Sequence, residues 1–201
     1  MNKDDLLKHI AETGYNVGFG AKKHFATYDI VNKVPGFINF FSLAFGVYAL
    51  VFKELAADVL SATFLVLGIV GLYISVYEDK KDDYEKSGCN LTKIYNELCR
   101  LYNRAKVVQD QDVPLMLGEL KNLENNFYTD SISKQILFSD WYAHYKFFWQ
   151  YQIAWVDEQK NFTLFRDKLP LSFIVAVILL VAAFIVWRSG AIAIACEIAT
   201  T

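Results

Sequence analysis

Side chains that could act in catalysis are few and widely spaced in this chain of 201 residues. His9, His24 and His144 lack the HExxH or HxH spacing of a metal site. The chain also has no Walker-type glycine loop and no GxSxG nucleophile elbow. Asp82 and Asp83 form a carboxylate doublet, but such doublets beside lysines are usually solvated surface. We therefore expect no catalytic residue, no metal site, no cofactor and no enzymatic activity.

Two other groups could contact ligands or partners. Cys89 and Cys99 have no CxxC spacing, and we interpret them as reduced packing thiols. Arg100 and Arg104 lie four residues apart and therefore share one face of a helix. They are candidate contacts for an anionic ligand or partner, and an ordinary surface pair is the alternative.

Small and weakly polar residues recur at helical spacing within two apolar stretches. One stripe has the spacing i, i+3, i+7, and the other has steps of seven, which drift by about 20° per step on a helix. Each stripe therefore lies on one helix face. Tight helix packing and the wall of a pore shared by several copies are both open interpretations. The stripe residues are Asn39, Ser42 and Gly46, and Ser61, Gly68 and Ser75.

Two carboxylates lie in the short connection between these stretches. Glu54 and Asp58 are four residues apart. In a ring of subunits they would repeat as an acidic collar at the outer mouth and would concentrate cations. In a single subunit they would only end the helices in water.

The elements that carry these residues are strongly apolar. Hydrophobic residues make up 54% of the chain and charged residues 21%. Residues 34–52, 59–77 and 169–187 contain no charge, and each stretch would form a helix of roughly 28 Å, close to the hydrocarbon thickness of a bilayer. We predict an all-α membrane protein in which residues 34–77 form a two-span hairpin and 169–187 a third span.

Charge predicts the orientation of these spans. Lys and Arg near the membrane ends favour the cytoplasm, and ten lie on one side against Lys53 and Arg188 on the other. The N-terminal region 1–33 and the region 78–168 should therefore be cytoplasmic, with the short tail 188–201 outside. The net charge of −2 argues against direct DNA binding. The ten residues are Lys22, Lys23, Lys33, Lys80, Lys81, Lys86, Lys93, Lys160, Arg166 and Lys168.

The two cytoplasmic regions are predicted to be helical. Residues 1–33 should be mostly helical, with Pro35 where the first span begins, and Gly14 and Gly18 indicate either close helix packing or a break. Apolar residues from Leu91 to Val108 recur at amphipathic spacing. A long helix rich in aromatic residues should run from about residue 131, capped by Asp130 or Ser131, towards the third span. Its aromatic residues are expected to meet a helical core, another subunit, the N-terminal helix or the membrane interface.

Residues 10–25 carry a family resemblance. Together with the following hairpin they resemble the SLATT family, two-transmembrane effectors found beside bacterial nucleotide synthetases and SLOG-type sensors. The likeness extends from about residue 5 to the third span, and residues 161–170 resemble the subgroup with an additional C-terminal membrane segment. The most specific motif residues are Tyr15, Asn16, Gly18, Gly20, Lys22 and Lys23.

The resemblance implies an antiphage effector of the bacterial inner membrane. Such a protein would form homo-oligomers, permeabilise the lipid bilayer after infection and arrest or kill the cell, which is abortive infection. Its signal would be a cyclic nucleotide from a neighbouring nucleotidyltransferase, or it would accompany a reverse-transcriptase system. The residues leave a second function open, a membrane-anchored adaptor whose cytosolic helices recruit a partner.

Overall fold

The computed structural model describes residues 2–52, 57–107 and 109–188. All regular secondary structure in these ranges is helical, and it divides into two compact units, Met1–Asn161 and Phe162–Thr201. The α-helices of the first unit are α1 (Lys3–Val51), α2 (Ala57–Ser75), α3 (Lys81–Ala105), α4 (Val113–Asp130), α5 (Ser139–Gln150) and α6 (Ala154–Lys160). The second unit contains α7 (Leu171–Arg188).

Helix α1 is one continuous helix of 49 residues. Asn2 caps it, because its side-chain Oδ1 accepts a hydrogen bond from the backbone N–H of Asp5 at 2.8 Å. In return, the carboxylate of Asp5 accepts a hydrogen bond from the backbone N–H of Asn2 at 3.3 Å. The helix then continues through three glycines and through Pro35 without a break. The N-terminal helix and the first span, which were predicted as separate segments, therefore belong to one helix. The helix that begins in the predicted cytosolic region is the same helix that forms the first span.

The first half of α1 is the central element of a helical body. Helices α3, α4, α5 and α6 all pack against it, and this half of α1 is buried on most of its circumference. The amphipathic pattern predicted for α3 is confirmed, because Leu91, Leu98 and Leu101 are buried. Val108, the last residue of that pattern, lies outside the described residues.

The second half of α1 and helix α2 contact each other and correspond to the two helices of the predicted hairpin. Both helices are long and apolar enough to cross a membrane, and almost none of their apolar windows is buried within the chain. On α2, the side that is partly shielded carries residues at steps of three and four. The opposite sides of both helices expose Phe, Leu, Val and Ile side chains, as lipid contact requires. The partly shielded residues are Leu60, Phe64, Leu67 and Gly71, and Ile74 on the same side is buried.

The long helix predicted from about residue 131 is wrong. Residues 131–136 have no regular structure, Ser131 follows the end of α4, and α5 begins only at Ser139. Helix α5 then ends at Gln150, and residues 151–153 separate it from α6. Phe138 and Asn161 have positive φ angles of 67° and 51°, which turn the chain at the start of α5 and at the end of α6.

The second unit holds the predicted third span. A turn of π-helix, Leu164–Lys168, precedes α7, and the carboxylate of Asp167 accepts a hydrogen bond from the backbone N–H of Thr163 at 2.8 Å. Residues Leu171–Val186 are apolar but form a shorter helix than the two of the hairpin. A complete third crossing by 169–187 stays a prediction.

Candidate functional site

Three positions of α1, spaced four residues apart, carry aromatic rings from the rest of the body. The indole of Trp155 contacts Gly14, and the rings of Tyr95 and Phe147 lie so close to Gly18 that an added Cβ would be 2.7–2.8 Å from their atoms. One helical turn further on, the ammonium group of Lys22 lies 3.5 Å from the centroid of the Tyr151 ring. The glycines thus allow close helix packing, one of the two interpretations that the sequence left open.

Lys22 is an unusual cation in this face. Burial, and secondarily the charge of Lys146, lowers the pKa of Lys22 to about 8. The ammonium group also faces the ring of Phe25, at 5.8 Å from its centroid. The aromatic rings stabilise the charged form only in part, because a cation–π contact replaces less than the full hydration of the ammonium group.

The other motif residues lie on or beside this face. Tyr15 stacks with Phe19, Gly20 lies beside the ring of Phe127, Lys23 forms an ion pair with Asp140 at 2.8 Å, and Asn16 is exposed. The family resemblance was therefore carried largely by the surface of α1 on which the body packs.

Residues 131–138, which we call the strap, join the body to the base of the hairpin. On the α1 side, the backbone N–H of Ile132 donates to Nε2 of His24 at 2.9 Å, and the hydroxyl of Thr27 donates to Oε1 of Gln135 at 2.5 Å. The Nδ1 of His24 donates to the carbonyl of Gly20 at 2.7 Å. Burial lowers the pKa of His24, with the charge of Lys23 acting in the same direction.

Tyrosines of α2 and α3 hold the other side of the strap. The hydroxyl of Tyr84 donates to the carbonyl of Lys134 at 2.6 Å, and the hydroxyl oxygen of Tyr73 accepts from the backbone N–H of Leu137 at 3.0 Å. Ile136 of the strap is buried in a cluster with residues of three helices. The strap therefore contacts both spans and the body. The buried members of that cluster are Val31, Ile74, Tyr77, Tyr84 and Ile136.

A group of ion pairs centred on the partly buried Asp29 lies near the strap. The carboxylate of Asp29 on α1 contacts the ammonium groups of Lys33 and Lys146, each at 2.6 Å. Burial opposes the charged form of Asp29, but hydrogen bonds and charge from the two lysines outweigh it and lower the pKa of this carboxyl. The group fixes α5 against α1 just before the first span begins.

The small-residue stripes are largely open among the described residues. Ser61, Gly68 and Ser75 are exposed, and a Cβ added at Gly46 or Gly68 would meet no atom within 4 Å among the described residues. Asn39 is exposed and Ser42 is partly shielded. Both open interpretations of the stripes, tight helix packing and a pore wall, stay predictions.

The remaining candidates are surface groups or lie outside the described residues. Arg100 forms an ion pair with Glu97 at 2.6 Å, and Arg104 forms a bidentate one with Glu119. All four side chains are largely exposed, which agrees with the alternative of a surface pair. Of the acidic collar, Asp58 is exposed at the start of α2, and Glu54 lies outside the described residues.

Sequence reasoning missed the strap and its tyrosines. Tyr73, Tyr77 and Tyr84 recur at steps of four and seven, so they share one face of the chain leaving the membrane. That spacing was a usable signal. Their partners, however, are backbone groups of a segment without regular structure, and such a segment leaves no periodic pattern in the sequence.

The described residues form an all-helical protein with two long apolar helices. The first of these helices, α1, also forms the centre of the packed helical body. The chain matches the family described as "SMODS and SLOG-associating 2TM effector domain 6" (SLATT_6) over residues 1–177, and it belongs to this family. It is thus a membrane effector of the kind found in defence systems. No curated protein and no solved structure gives a significant match.

Proposed function

We propose that this chain is a bacterial antiphage effector that assembles into a homo-oligomeric pore in the inner membrane. A nucleotide-type infection signal would trigger the assembly, and the loss of the membrane potential would end phage production by abortive infection. The chain would act without catalysis of its own. Residues 1–33 and 78–168 would face the cytoplasm, where ten basic residues flank the spans.

The continuity of α1 is the observation that supports this proposal most strongly. Its first half is enclosed by α3, α4, α5 and α6, and its second half is an apolar span with no break between them. A rearrangement of the body would therefore move the span directly. The strap adds a second connection, because it contacts α1, α2 and α3 at the base of the hairpin.

Several copies are needed for conduction. Two apolar helices cannot enclose a water-filled path, and the weakly polar residues of α2 face away from α1 in the single chain. In a ring, Ser61, Gly68 and Ser75 could face neighbouring copies or the lumen, while Phe, Leu, Val and Ile face lipid. The outer end of α2 would then bring Asp58 of each copy to the mouth.

The test is depolarisation of bacterial cells after induced expression, followed with a potential-sensitive dye. We expect loss of potential with the natural chain and retention of it with Gly68→Leu, because the added side chain occupies the weakly polar face. Ala62→Leu is the control, since Ala62 is exposed on a different face of α2 and gains three side-chain carbons against four at Gly68. It should depolarise the cells normally at equal membrane yield. Toxicity at intact potential would contradict the proposal.

An exposed aromatic pair on α5 favours the adaptor as a second candidate. Tyr145 and Trp149 lie four residues apart and are 52% and 62% exposed. Aromatic side chains of this kind are enriched at protein–protein contacts. An adaptor would leave liposomes ion-tight in every condition, and Trp149→Ala would remove its activity in cells. A leak from liposomes that contain only this chain and its trigger would exclude the adaptor.

A further inference from the structure

A cavity of about 570 Å³ opens between α3 and the connection from α5 to α6. Three aromatic rings line it and touch one another, because the Tyr95 centroid lies 4.8 Å from that of Tyr151 and 5.2 Å from that of Trp155. The polar lining consists of Asn96, Gln150, Gln152 and Glu158, and Cys99 and Ala154 complete it. None of these nine lining residues is Lys or Arg.

One polar atom of the aromatic lining, the indole Nε1 of Trp155, is buried without a hydrogen bond, and its side chain is 9% exposed. The hydroxyl of Tyr151 is also buried and lies beside Thr92. The indole N–H of Trp155 lies near the hydroxyl of Tyr95 and acts to lower the pKa of that phenol, but the two groups are not aligned for a hydrogen bond. A buried donor without an acceptor destabilises the folded chain, so a ligand that accepts from the indole N–H would remove that penalty.

The polar lining can recognise the edge of a flat ligand. Glu158 uses Oε2 for both of its contacts, accepting from the Tyr102 hydroxyl at 3.0 Å and pairing with Lys106 at 2.5 Å. Its Oε1 makes no contact with the described residues and can accept an N–H. The carboxamides of Gln150 and Gln152 offer both donors and acceptors. The side chain of Tyr95 is already fixed, since its hydroxyl donates to the carbonyl of Gln152 at 2.9 Å.

We infer that this cavity binds a nucleobase. Aromatic rings provide a stacking surface, carboxamide and carboxylate groups read the hydrogen-bonding edge of a base, and the lining lacks the cations that would hold a phosphate. The ligand is thus recognised through its base, and a nucleoside without phosphate is enough for binding. That the cavity binds a nucleobase does not depend on the proposed function. That it receives the infection signal rests on the proposed function.

The same three rings connect the cavity to α1. Trp155 contacts Gly14, Tyr95 contacts Gly18 and Tyr151 contacts Lys22, so the lining of the cavity packs on one face of α1 over two helical turns. A base that stacks on these rings changes their tilt, and the glycines leave α1 no side chain to absorb that change. Binding therefore acts on the helix that continues into the first span.

Two cysteines of α3 make the test specific. Cys99 lines the cavity, whereas Cys89 lies on the same helix outside it and is exposed. The full chain in detergent is alkylated with N-ethylmaleimide in the presence of adenosine, guanosine, cytidine or uridine, and each cysteine is followed by mass spectrometry. Burial raises the pKa of the Cys99 thiol, so the reaction is run at mildly alkaline pH. Ribose and inorganic phosphate are the control ligands.

We expect at least one nucleoside to slow the alkylation of Cys99 roughly tenfold at about ten times its Kd, while Cys89 reacts unchanged. Ala154→Phe should abolish the protection, because Ala154 is exposed in the cavity lining and the new ring fills its space. Asn126→Phe, at an exposed position of α4, should leave the protection intact.

Equal reaction of Cys99 with and without all four nucleosides would overturn the inference, and so would protection by inorganic phosphate alone. The outcome is independent of the pore assay. A chain that binds a nucleoside but never depolarises cells contradicts the proposed function alone. A chain that depolarises cells without binding any nucleoside contradicts this inference alone.

Discussion

The Nε2 atom of His24 accepts a hydrogen bond from the backbone N–H of Ile132 at 2.9 Å, 108 residues away in the sequence. Because that nitrogen must be unprotonated, and Nδ1 donates to the carbonyl of Gly20, the folded chain contains the neutral imidazole. The bond ties α1 to the strap just above the spans. Protonation of His24 would remove the acceptor and leave the strap N–H without its partner.

This geometry predicts loss of stability on acidification. Burial lowers the pKa of His24 below its usual 6.5, and burial also lowers that of His144. Below pH 6.5 the unfolded chain binds more protons than the folded one, so the free energy of unfolding falls by up to about 1.4 kcal/mol per pH unit and histidine. Thermal unfolding in detergent between pH 7.5 and 5.5 measures this slope.

His24→Gln should reduce the slope, because the amide can accept from Ile132 without titrating. His24→Gln combined with His144→Gln should reduce it further. An unchanged slope in the double variant would show that other groups cause the acid sensitivity.

Two glycine substitutions should change the free energy of unfolding in opposite directions. Gly18→Ala places a Cβ 2.7 Å from the ring of Tyr95 and 2.8 Å from that of Phe147, an overpacking that we expect to cost about 1–3 kcal/mol. Gly118→Ala, within α4, meets no atom within 4 Å among the described residues and should stabilise by about 0.5–1 kcal/mol. Chemical denaturation measures both. A stabilised Gly18→Ala variant would exclude the close packing of this face.

The course of α1 shows what the sequence could and could not predict. Its apolar half was recognisable from length and the absence of charge, and Gly14 and Gly18 indicated close packing as one of two interpretations. The continuous helix through Pro35 was not predictable, because glycine and proline locally favour a break. Four surrounding helices and the apolar span outweigh that local preference.

The prediction of a long helix after α4 was wrong for a different reason. Its aromatic residues suggested a single long helix, whereas Phe138 adopts a positive φ that is rare for a bulky side chain. The ring of Phe138 packs on that of Trp141 at 5.0 Å, and the strap before it is held by side chains 50 or more residues away. Contacts of such sequence separation leave no local signal.

The carboxylate of Asp29 should be important for stability. Asp29→Asn leaves the ammonium group of Lys146, which is 16% exposed, without its ion partner, and we expect a loss of about 2 kcal/mol. Asp82→Asn is the matched control, because Asp82 is exposed at the start of α3 and should change stability by less than about 0.5 kcal/mol. Thermal unfolding at neutral pH compares the two. Equal behaviour of both variants would mean that water replaces the ion pairs of Asp29.

The ion pairs of Arg100 and Arg104 should contribute little to the stability of the folded chain. Arg104 and Glu119 are both largely exposed, as are Arg100 and Glu97, and exposed pairs contribute about 0–1 kcal/mol. Arg100→Ala and Arg104→Ala should therefore unfold almost as the natural chain does and should depolarise cells normally. A variant that folds normally but responds only to a much higher dose of signal would reinstate this pair as a ligand contact.

The strap provides a test of how the body and the spans are connected. Tyr73→Phe removes the acceptor of the Leu137 N–H, and Tyr84→Phe removes the donor to the Lys134 carbonyl, each at about 1 kcal/mol while the ring remains in place. We expect faster amide hydrogen exchange across residues 131–138 in the double variant, with α3 and the body unchanged. Tyr128→Phe is the control, since its ring is 73% exposed on α4.

Depolarisation by the same double variant then separates two roles of the strap. If the strap transmits a change in the body to α2, looser bonds should weaken the response to the signal while membrane yield stays equal. If α1 alone transmits the change, the response should persist despite the faster exchange. Because α1 reaches the first span without a break and α2 reaches the body through the strap, the comparison assigns the movement to one of the two helices.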